Sequence, residues 1–218
     1  MNAQVLKKLR TIASDRQLKS DPSHDFEHVV RVLNMAIKIG KSVGADLDVV
    51  IPAALFHDTV VYRKDSPESR NEADESAEVA GQILEKTKNY PKQKIADVKA
   101  CIQQCSFTKG IKATLLESEV LQDADLLEST GALSIMRTFS SCGHMNRSLY
   151  NTKQPFYEKH EKDFSSGVGL FYRRLLLADK RLHSKLAKQI GKRRAGFLRK
   201  FLNQLEVELK ESEIIKKR

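Results

Sequence analysis

The sequence predicts an all-α fold, for three reasons. Apolar residues recur every three or four positions through most of the chain, which is the period of an amphipathic helix. No segment of useful length alternates apolar and polar residues, as a half-buried strand does. Helix-breaking residues lie where the periodic segments stop, as with Pro22, Gly44, Pro91 and Gly110. We therefore expect helices throughout, and no internal repeat is present.

Length and composition indicate an ordinary soluble protein. The chain has 218 residues, of which 40% are hydrophobic and 30% are charged, and it contains no Trp. No apolar stretch approaches the roughly 20 residues that a membrane span needs, and the N-terminal segment lacks the apolar core of a signal peptide. Three cysteines, an odd number, do not suggest a disulfide framework. We expect a cytoplasmic protein with reduced thiols and no membrane partner.

The first two predicted helices lead to an inward-facing histidine. One helix is predicted over residues 5–18. The second follows Pro22, with Ser23 as its candidate N-cap, and stops at Gly44. His28 lies on the edge of the apolar stripe of this second helix and should face inward. Taken alone, such a histidine is more often a satisfied core residue than a metal ligand.

A third helix is predicted to end in the dipeptide His57-Asp58. Residues 49–56 are almost entirely apolar, which is typical of a buried helix, whereas the β-branched residues 59–61 disfavour its continuation. Where the backbone leaves a helix, neighbouring side chains can turn toward one point, and the C-terminal end of a helix attracts cations. The alternative is that His57 only caps a carbonyl group.

The later elements add two more carboxylates. Asp123 and Asp125 lie among apolar residues in a helix that begins near residue 114, where unpaired acids are costly to bury. The remaining predicted elements are helices over residues 72–88 and 91–105, a long loop at about 140–169, helices over 171–190 and 193–209, and a frayed tail over 211–218.

Lysine and arginine cluster near the C-terminus. Residues 170–200 contain eleven Lys or Arg and one acid, Asp179, so this segment accounts for the net charge of +10. Such a surface can bind nucleic acid, attract polyanionic small molecules or simply be solvated. Its apolar residues have helical spacing, and no aromatic residue is interleaved with the charges between Arg173 and Arg194. We expect these helices to pack and to lend a positive field, and we expect no nucleic-acid partner.

Three helices together carry a set of side chains suited to one divalent cation, with positions left for water and substrate. The set contains two imidazoles and two carboxylates, those of His28, His57, Asp58 and Asp125. Such a cation would lower the pKa of bound water and offset the charge of an anionic leaving group. No Ser-His-Asp order, glycine-rich phosphate loop or Cys-His pair competes with this interpretation. The spacing alone still leaves open a purely structural role for the histidines.

Three motifs resemble those of a known family. Residues 24–32 read His-Asp-Phe-Glu-His-Val-Val-Arg-Val, residues 53–58 read Ala-Ala-Leu-Phe-His-Asp, and residues 122–132 read Gln-Asp-Ala-Asp-Leu-Leu-Glu-Ser-Thr-Gly-Ala. Together they resemble the HD-domain metal-dependent phosphohydrolases. The resemblance is greatest to the compact bacterial single-domain branch that includes nucleoside triphosphate pyrophosphohydrolases, and it continues into the C-terminal helices.

The resemblance implies a single HD-domain helical bundle over residues 1–218, with a core at about 20–140 and additional C-terminal helices at about 170–210. It implies that His28, His57, Asp58 and Asp125 bind one divalent ion of unknown identity (Mn²⁺, Mg²⁺, Co²⁺, Ni²⁺ or Fe²⁺), with His57 and Asp58 as the catalytic pair. The implied reaction is attack of metal-activated water on the phosphorus of a nucleotide or related phosphate ester, with (d)NTP pyrophosphohydrolysis as its specific form.

The chain also departs from the pattern of this branch. Cys105 stands where the branch usually has a histidine, and Glu128 stands where an aspartate is frequent. The acidic pair of alarmone hydrolases is replaced at residues 61–63 by Val-Tyr-Arg, which weakens that interpretation. The remaining histidines, His144, His160 and His183, lie in the predicted loop and the basic helix, so the sequence does not support a second metal.

Three basic residues are candidate phosphate contacts, because they follow the ligand-bearing helix ends or continue the Asp125 helix. They are Lys64, Arg70 and Arg137. Two functions remain open from the sequence. One is a phosphohydrolase acting on a small phosphorylated substrate; the other is a non-catalytic nucleotide or nucleic-acid binding module, in which the changes at Cys105 and Glu128 mark lost activity.

Overall fold

The computed structural model describes residues 1–16, 25–62, 66–105, 110–153, 156 and 166–214. All regular structure in these residues is helical, which confirms the all-α prediction, and one isolated β-bridge joins Ser148 to Ser166. The α-helices are α1 (Ala3–Arg16), α2 (Phe26–Val43), α3 (Leu47–Phe56), α4 (Glu72–Glu85), α5 (Ile95–Cys105), α6 (Leu116–Leu127), α7 (Gly131–His144), α8 (Gly167–Arg173) and α9 (Lys185–Glu211), with 3₁₀ helices at Pro67–Arg70, Lys92–Lys94 and Leu175–Arg181.

The described chain groups into two compact units. The first contains residues 1–16, most of 25–126, and 183–187; the second contains most of 127–182 together with 188–214. In the first unit α3 is the central helix, and it contacts α1, α2, α4 and α5. Every residue of α3 from Val49 to Phe56 is buried, because this helix is apolar on all its faces.

A proline inside α3 is compensated by a tyrosine. Pro52 has no backbone N–H, so the Asp48 carbonyl four residues earlier lacks its intrahelical partner. The hydroxyl of Tyr90 donates to that carbonyl at 2.8 Å. The central helix therefore passes through Pro52 without leaving the Asp48 carbonyl unsatisfied.

Helix α2 starts and ends on specific residues. Its N-cap is Asp25, whose Oδ1 accepts from the backbone N–H of His28 at 2.9 Å. The prediction of Ser23 as the cap is therefore wrong, although Ser23 itself lies outside the described residues. At the other end Gly44 adopts φ 76°, a left-handed conformation that glycine tolerates, so the predicted stop is confirmed.

The second unit has its own apolar core. Phe171 on α8 packs near Phe139 and Phe201, with ring centroids 5.9 and 5.6 Å away. The buried members of this core are Val168, Phe171, Leu175, Leu198 and Leu202.

The C-terminal helices differ from the prediction. Residues 171–190 do not form one helix, because α8 ends at Arg173 and a 3₁₀ helix follows. The predicted break between residues 190 and 193 is also wrong, since α9 runs unbroken from Lys185 to Glu211. Gly191, which lies in the predicted gap, allows a close contact: a Cβ built there would lie 2.4 Å from Leu182 Cδ1.

The predicted loop at about 140–169 is shorter at both ends. Helix α7 continues to His144, and α8 begins at Gly167. Cys142 is fully buried in the last turns of α7, so this segment is anchored despite its polar composition. Residues 154–155 and 157–165 lie outside the described part of the chain.

Among the helices that the structure describes, none is long and apolar enough to cross a membrane.

Candidate metal centre

Three helices bring four candidate ligands to one place in the first unit. His28 lies in the first turn of α2, where the Asp25 cap fixes the backbone at His28 itself. His57 is the C-cap of α3, and Asp58 follows it directly. Asp125 lies near the C-terminal end of α6. Each of these positions is a helix end or a final turn, where a side chain can point along the helix rather than across it.

The donor atoms of these four side chains face one another. Asp58 Oδ2 lies 3.4 Å from His28 Nε2 and 3.5 Å from His57 Nε2. Asp125 Oδ1 lies 3.7 Å from His28 Nε2 and 3.9 Å from His57 Nε2. The imidazole nitrogens therefore face both carboxylates, and ligand atoms of His28, His57 and Asp125 all lie within 4.8 Å of one another.

These separations fit a shared cation better than direct hydrogen bonds. N–H···O hydrogen bonds have donor–acceptor distances of about 2.7–3.2 Å, and all four separations are longer. Ligands bound to one ion at about 2.0–2.2 Å can lie up to about 4.4 Å apart, and all four separations are shorter. Two imidazole nitrogens with carboxylate oxygens are also a donor set that divalent transition metals accept.

The ring of His57 is already oriented for a ligand. Its Nδ1 lies 2.9 Å from the carbonyl oxygen of Ala54, which favours the tautomer with the proton on Nδ1. That tautomer directs the Nε2 lone pair toward the carboxylates. His57 Nε2 is buried and has no hydrogen-bond partner in the described part of the chain. A buried nitrogen left in this way is costly unless something binds it, and a cation would do so.

The site is buried on its imidazole side and open on its carboxylate side. The side chains of His28 and His57 are 0% and 2% exposed, whereas those of Asp58 and Asp125 are each 28% exposed. Water and a small ligand can therefore approach the carboxylates, while the imidazoles are held by the core.

A comparison with protein families matches residues 25–130 to the HD domain, and all four candidate ligands lie within this range. Residues 25–130 are an HD domain. The predicted resemblance to this family is confirmed, and the His57-Asp58 dipeptide lies within the matched residues.

Other proteins are similar to this chain over nearly its whole length. It is 28% identical over 205 residues to YpgQ of Bacillus subtilis, an uncharacterised protein, with 92% of each chain covered. The crystal structure of YpgQ in complex with ADP has a TM-score of 0.71 and 26% identity, covering 94% of this chain and 97% of that one. An HD-superfamily hydrolase of Bacillus thuringiensis has the same TM-score and identity, covering 96% and 97%.

Asp123, two residues before the HD domain's Asp125, has a different role. Asp123 is 1% exposed, and its carboxylate accepts from two backbone N–H groups, those of His183 at 2.6 Å and Ser184 at 2.8 Å. Ser184 in turn caps α9, since its Oγ accepts from Ala187 N at 3.2 Å. Asp123 is thus occupied by the backbone at residues 183–184, and Asp125 is the acid that faces the imidazoles.

Cys105, where the resemblance led us to expect a histidine, lies beside the site. Its Sγ is 4.0 Å from Asp125 Oδ2. Burial raises the pKa of this thiol well above its ordinary value, and the carboxylates of Asp125 and Asp58 raise it further. Cys105 is therefore a protonated thiol at neutral pH.

Sequence reasoning missed two acids that hold the segment following the HD dipeptide. Glu72 Oε1 accepts from Tyr62 N at 2.8 Å, and Glu75 Oε2 accepts from the Tyr62 hydroxyl at 2.7 Å. The hydrogen bond to Glu75 raises the pKa of Tyr62. The available signal was the run of acids in the first turn of α4, which suits the helix dipole and by itself did not indicate a partner.

The three predicted phosphate contacts are differently placed. Arg70 is the exposed last residue of the 3₁₀ helix Pro67–Arg70. Arg137 lies on α7 in the second unit, with Nη1 4.0 Å from Glu128 Oε2. Lys64 lies outside the described residues. All three stay predictions.

Proposed function

We propose that this HD protein is a metal-dependent phosphohydrolase that acts on a nucleotide or a related phosphate ester. The observation that carries the proposal is the facing set of two imidazole nitrogens and two carboxylates at 3.4–3.9 Å, with the buried Nε2 of His57 directed into it. The similarity to an HD-superfamily hydrolase over 96% of the chain supports hydrolysis as the reaction class.

In this proposal the four side chains divide the work. His28 and His57 bind one divalent ion through Nε2 from the buried side, and the hydrogen bond to Ala54 keeps the His57 proton on Nδ1. Asp58 and Asp125 bind it from the exposed side, where solvent reaches them. When bound, the ion lowers the pKa of water and offsets negative charge on the phosphate group.

A nucleotide is the proposed substrate class for two reasons. YpgQ, which resembles this chain over nearly its full length, has been crystallised with ADP. The net charge of +10 produces a field that favours polyanions. The specific form that we propose is pyrophosphohydrolysis of a (d)NTP, with one divalent ion and with Lys64, Arg70 and Arg137 as candidate phosphate contacts.

A nucleotide panel tests the reaction. Nucleoside mono-, di- and triphosphates would be incubated with Mn²⁺, Mg²⁺, Co²⁺ or Ni²⁺, and release of phosphate and of pyrophosphate would be measured separately. We expect hydrolysis that depends on the metal, with pyrophosphate released from a triphosphate. Release of phosphate alone would contradict pyrophosphohydrolysis and keep the broader reaction class.

A pair of aspartate variants tests the site. Asp58→Ala should lose both metal and activity, whereas Asp97→Ala removes an exposed acid of α5 and should retain both. Full metal occupancy in the Asp58→Ala protein would contradict the ligand assignment. Tight, steeply salt-dependent binding to duplex DNA, with no hydrolysis of any nucleotide, would instead indicate a binding module.

A further inference from the structure

The two oxygens of the Asp125 carboxylate have different neighbours. Oδ1 faces the imidazoles, at 3.7 Å from His28 Nε2 and 3.9 Å from His57 Nε2. Oδ2 faces the thiol of Cys105, with 4.0 Å between Sγ and the oxygen. One oxygen is therefore directed at the site and the other at the last residue of α5.

We infer that Cys105 is a positioning residue that orients the Asp125 carboxylate toward the metal. A thiol is a weak hydrogen-bond donor, and a carboxylate is an acceptor with two oxygens. A donor that engages Oδ2 limits rotation of the carboxylate and leaves Oδ1 for the ion. Hydrogen bonds from such outer groups commonly set the orientation of ligating carboxylates. This inference rests on the proposed metal-dependent function.

Two glutamine side chains hold the thiol and the carboxylate in register. Gln122 on α6 donates through Nε2 to the carbonyl of Gln104 at 2.6 Å and to that of Ile111 at 3.0 Å. Gln104 also exchanges two hydrogen bonds with Thr114, both at 2.9 Å. Gln104 is the neighbour of Cys105, so these bonds fix the end of α5 against α6 at the level of the site.

A second cysteine on the same helix provides an internal comparison. Cys101, one turn before Cys105, also meets α6, where the hydroxyl of Ser118 lies 3.4 Å from its Sγ. Cys101 and Cys105 are both buried, at 0% and 8% exposure. The two thiols therefore share a helix and are both buried, but Cys105 contacts the candidate ligand Asp125 whereas Cys101 contacts Ser118.

A second observation supports a ligand site at the place that Asp125 occupies. The buried Nε2 of His57 lacks a hydrogen-bond partner among the described residues and points toward Asp125 Oδ1. The thiol of Cys105 thus acts on a carboxylate that faces an unsatisfied imidazole.

The test measures Mn²⁺ affinity without substrate, by the electron paramagnetic resonance signal of free Mn²⁺. Cys105→Ala should weaken affinity by about 10- to 100-fold, the usual effect of removing an outer hydrogen bond to a metal ligand. Cys105→Ser, which restores a donor, should recover most of this loss. Cys101→Ala is the matched control and should bind Mn²⁺ as the wild type does. In an Asp125→Asn background, Cys105→Ala should have no further effect.

Several results would overturn the inference. Wild-type affinity in Cys105→Ala would do so, as would equal losses in Cys105→Ala and Cys101→Ala, because both would indicate packing alone. A thiolate-to-cobalt charge-transfer band in the Co²⁺-loaded wild type, absent from Cys105→Ser, would make Cys105 a ligand instead. If Mn²⁺ binds as expected while no nucleotide is hydrolysed, the proposed function fails and the positioning role stands.

Discussion

Asp123 and Asp125 lie on one helix, but the structure predicts that substituting them has different effects. They are two positions apart, so their side chains point about 200° apart around α6. Asp123 accepts two backbone hydrogen bonds from residues 183–184, whereas Asp125 faces the imidazoles. Asp123→Ala should therefore reduce stability, and Asp125→Ala should reduce metal affinity.

The magnitude for Asp123 follows from its two contacts. Hydrogen bonds to a charged acceptor contribute about 1.5–3 kcal/mol each, so removing both would cost at most about 6 kcal/mol. His183 and Ser184 are only half-buried, so water can replace part of each bond after substitution. We expect Asp123→Ala to lower the free energy of unfolding by about 2–4 kcal/mol. Among the described residues Asp125 has no such backbone contact, and its substitution should cost about 1 kcal/mol or less in the metal-free protein.

The assay compares both variants with the wild type in urea, first with a chelator and then with saturating Mn²⁺. Added metal should stabilise the wild type and Asp123→Ala, since a ligand that binds only the folded state raises its stability. It should leave Asp125→Ala nearly unchanged. Equal stability of the two variants in chelator, or equal stabilisation by Mn²⁺, would refute the assignment of one acid to the fold and the other to the site.

Three further predictions concern packing, pH and substrate. Gly196→Ala should stabilise α9 by about 1 kcal/mol, since nothing lies within 4 Å of the added methyl group. Gly191→Ala, which crowds buried Leu182, should be less stable than Gly196→Ala by about 1–3 kcal/mol in thermal unfolding. Burial raises the pKa of Cys101 to about 12. The free energy of unfolding should therefore keep its full value below the unfolded thiol pKa of about 8.5 and fall as the pH rises toward 12. In urea titrations, Cys101→Ala should lose less stability than the wild type over that range. Replacing Lys64, Arg70 and Arg137 together with Ala should raise the Michaelis constant of the nucleotide substrate, and an unchanged constant would remove them as phosphate contacts.

Much of the first unit could be predicted from local signals. The apolar run of residues 49–56 indicated a buried helix that ends at His57-Asp58, and the structure has that helix with His57 as its C-cap. Gly44 marked the end of α2 because few other residues adopt its left-handed conformation readily. The helical period likewise placed His28 on an inner face, and it is fully buried. Each of these signals depends on residues within a few positions of one another.

The C-terminal region shows where local signals fail. A glycine can end a helix or permit a close contact, and the sequence around Gly191 does not distinguish these roles. Leu182 is nine positions away along the chain but adjacent in space, and its contact shows that Gly191 permits a close approach. Asp25 rather than Ser23 caps α2 for a similar reason, since both residue types are suitable caps and backbone geometry selects between them.

The sequence by itself determined the residue chemistry of the site and which helix faces carry it: two histidines and several acids at inward positions, with a cysteine at the end of α5. The family resemblance had already selected Asp125 as the candidate ligand, and only the tertiary structure showed what occupies Asp123. Asp123 and Asp125 are chemically identical, and their difference arises from the backbone at residues 183–184, about 60 positions further along the chain, which engages one of them. Helical periodicity sets the direction of a side chain, but its partner depends on elements that approach through the packing of the whole unit.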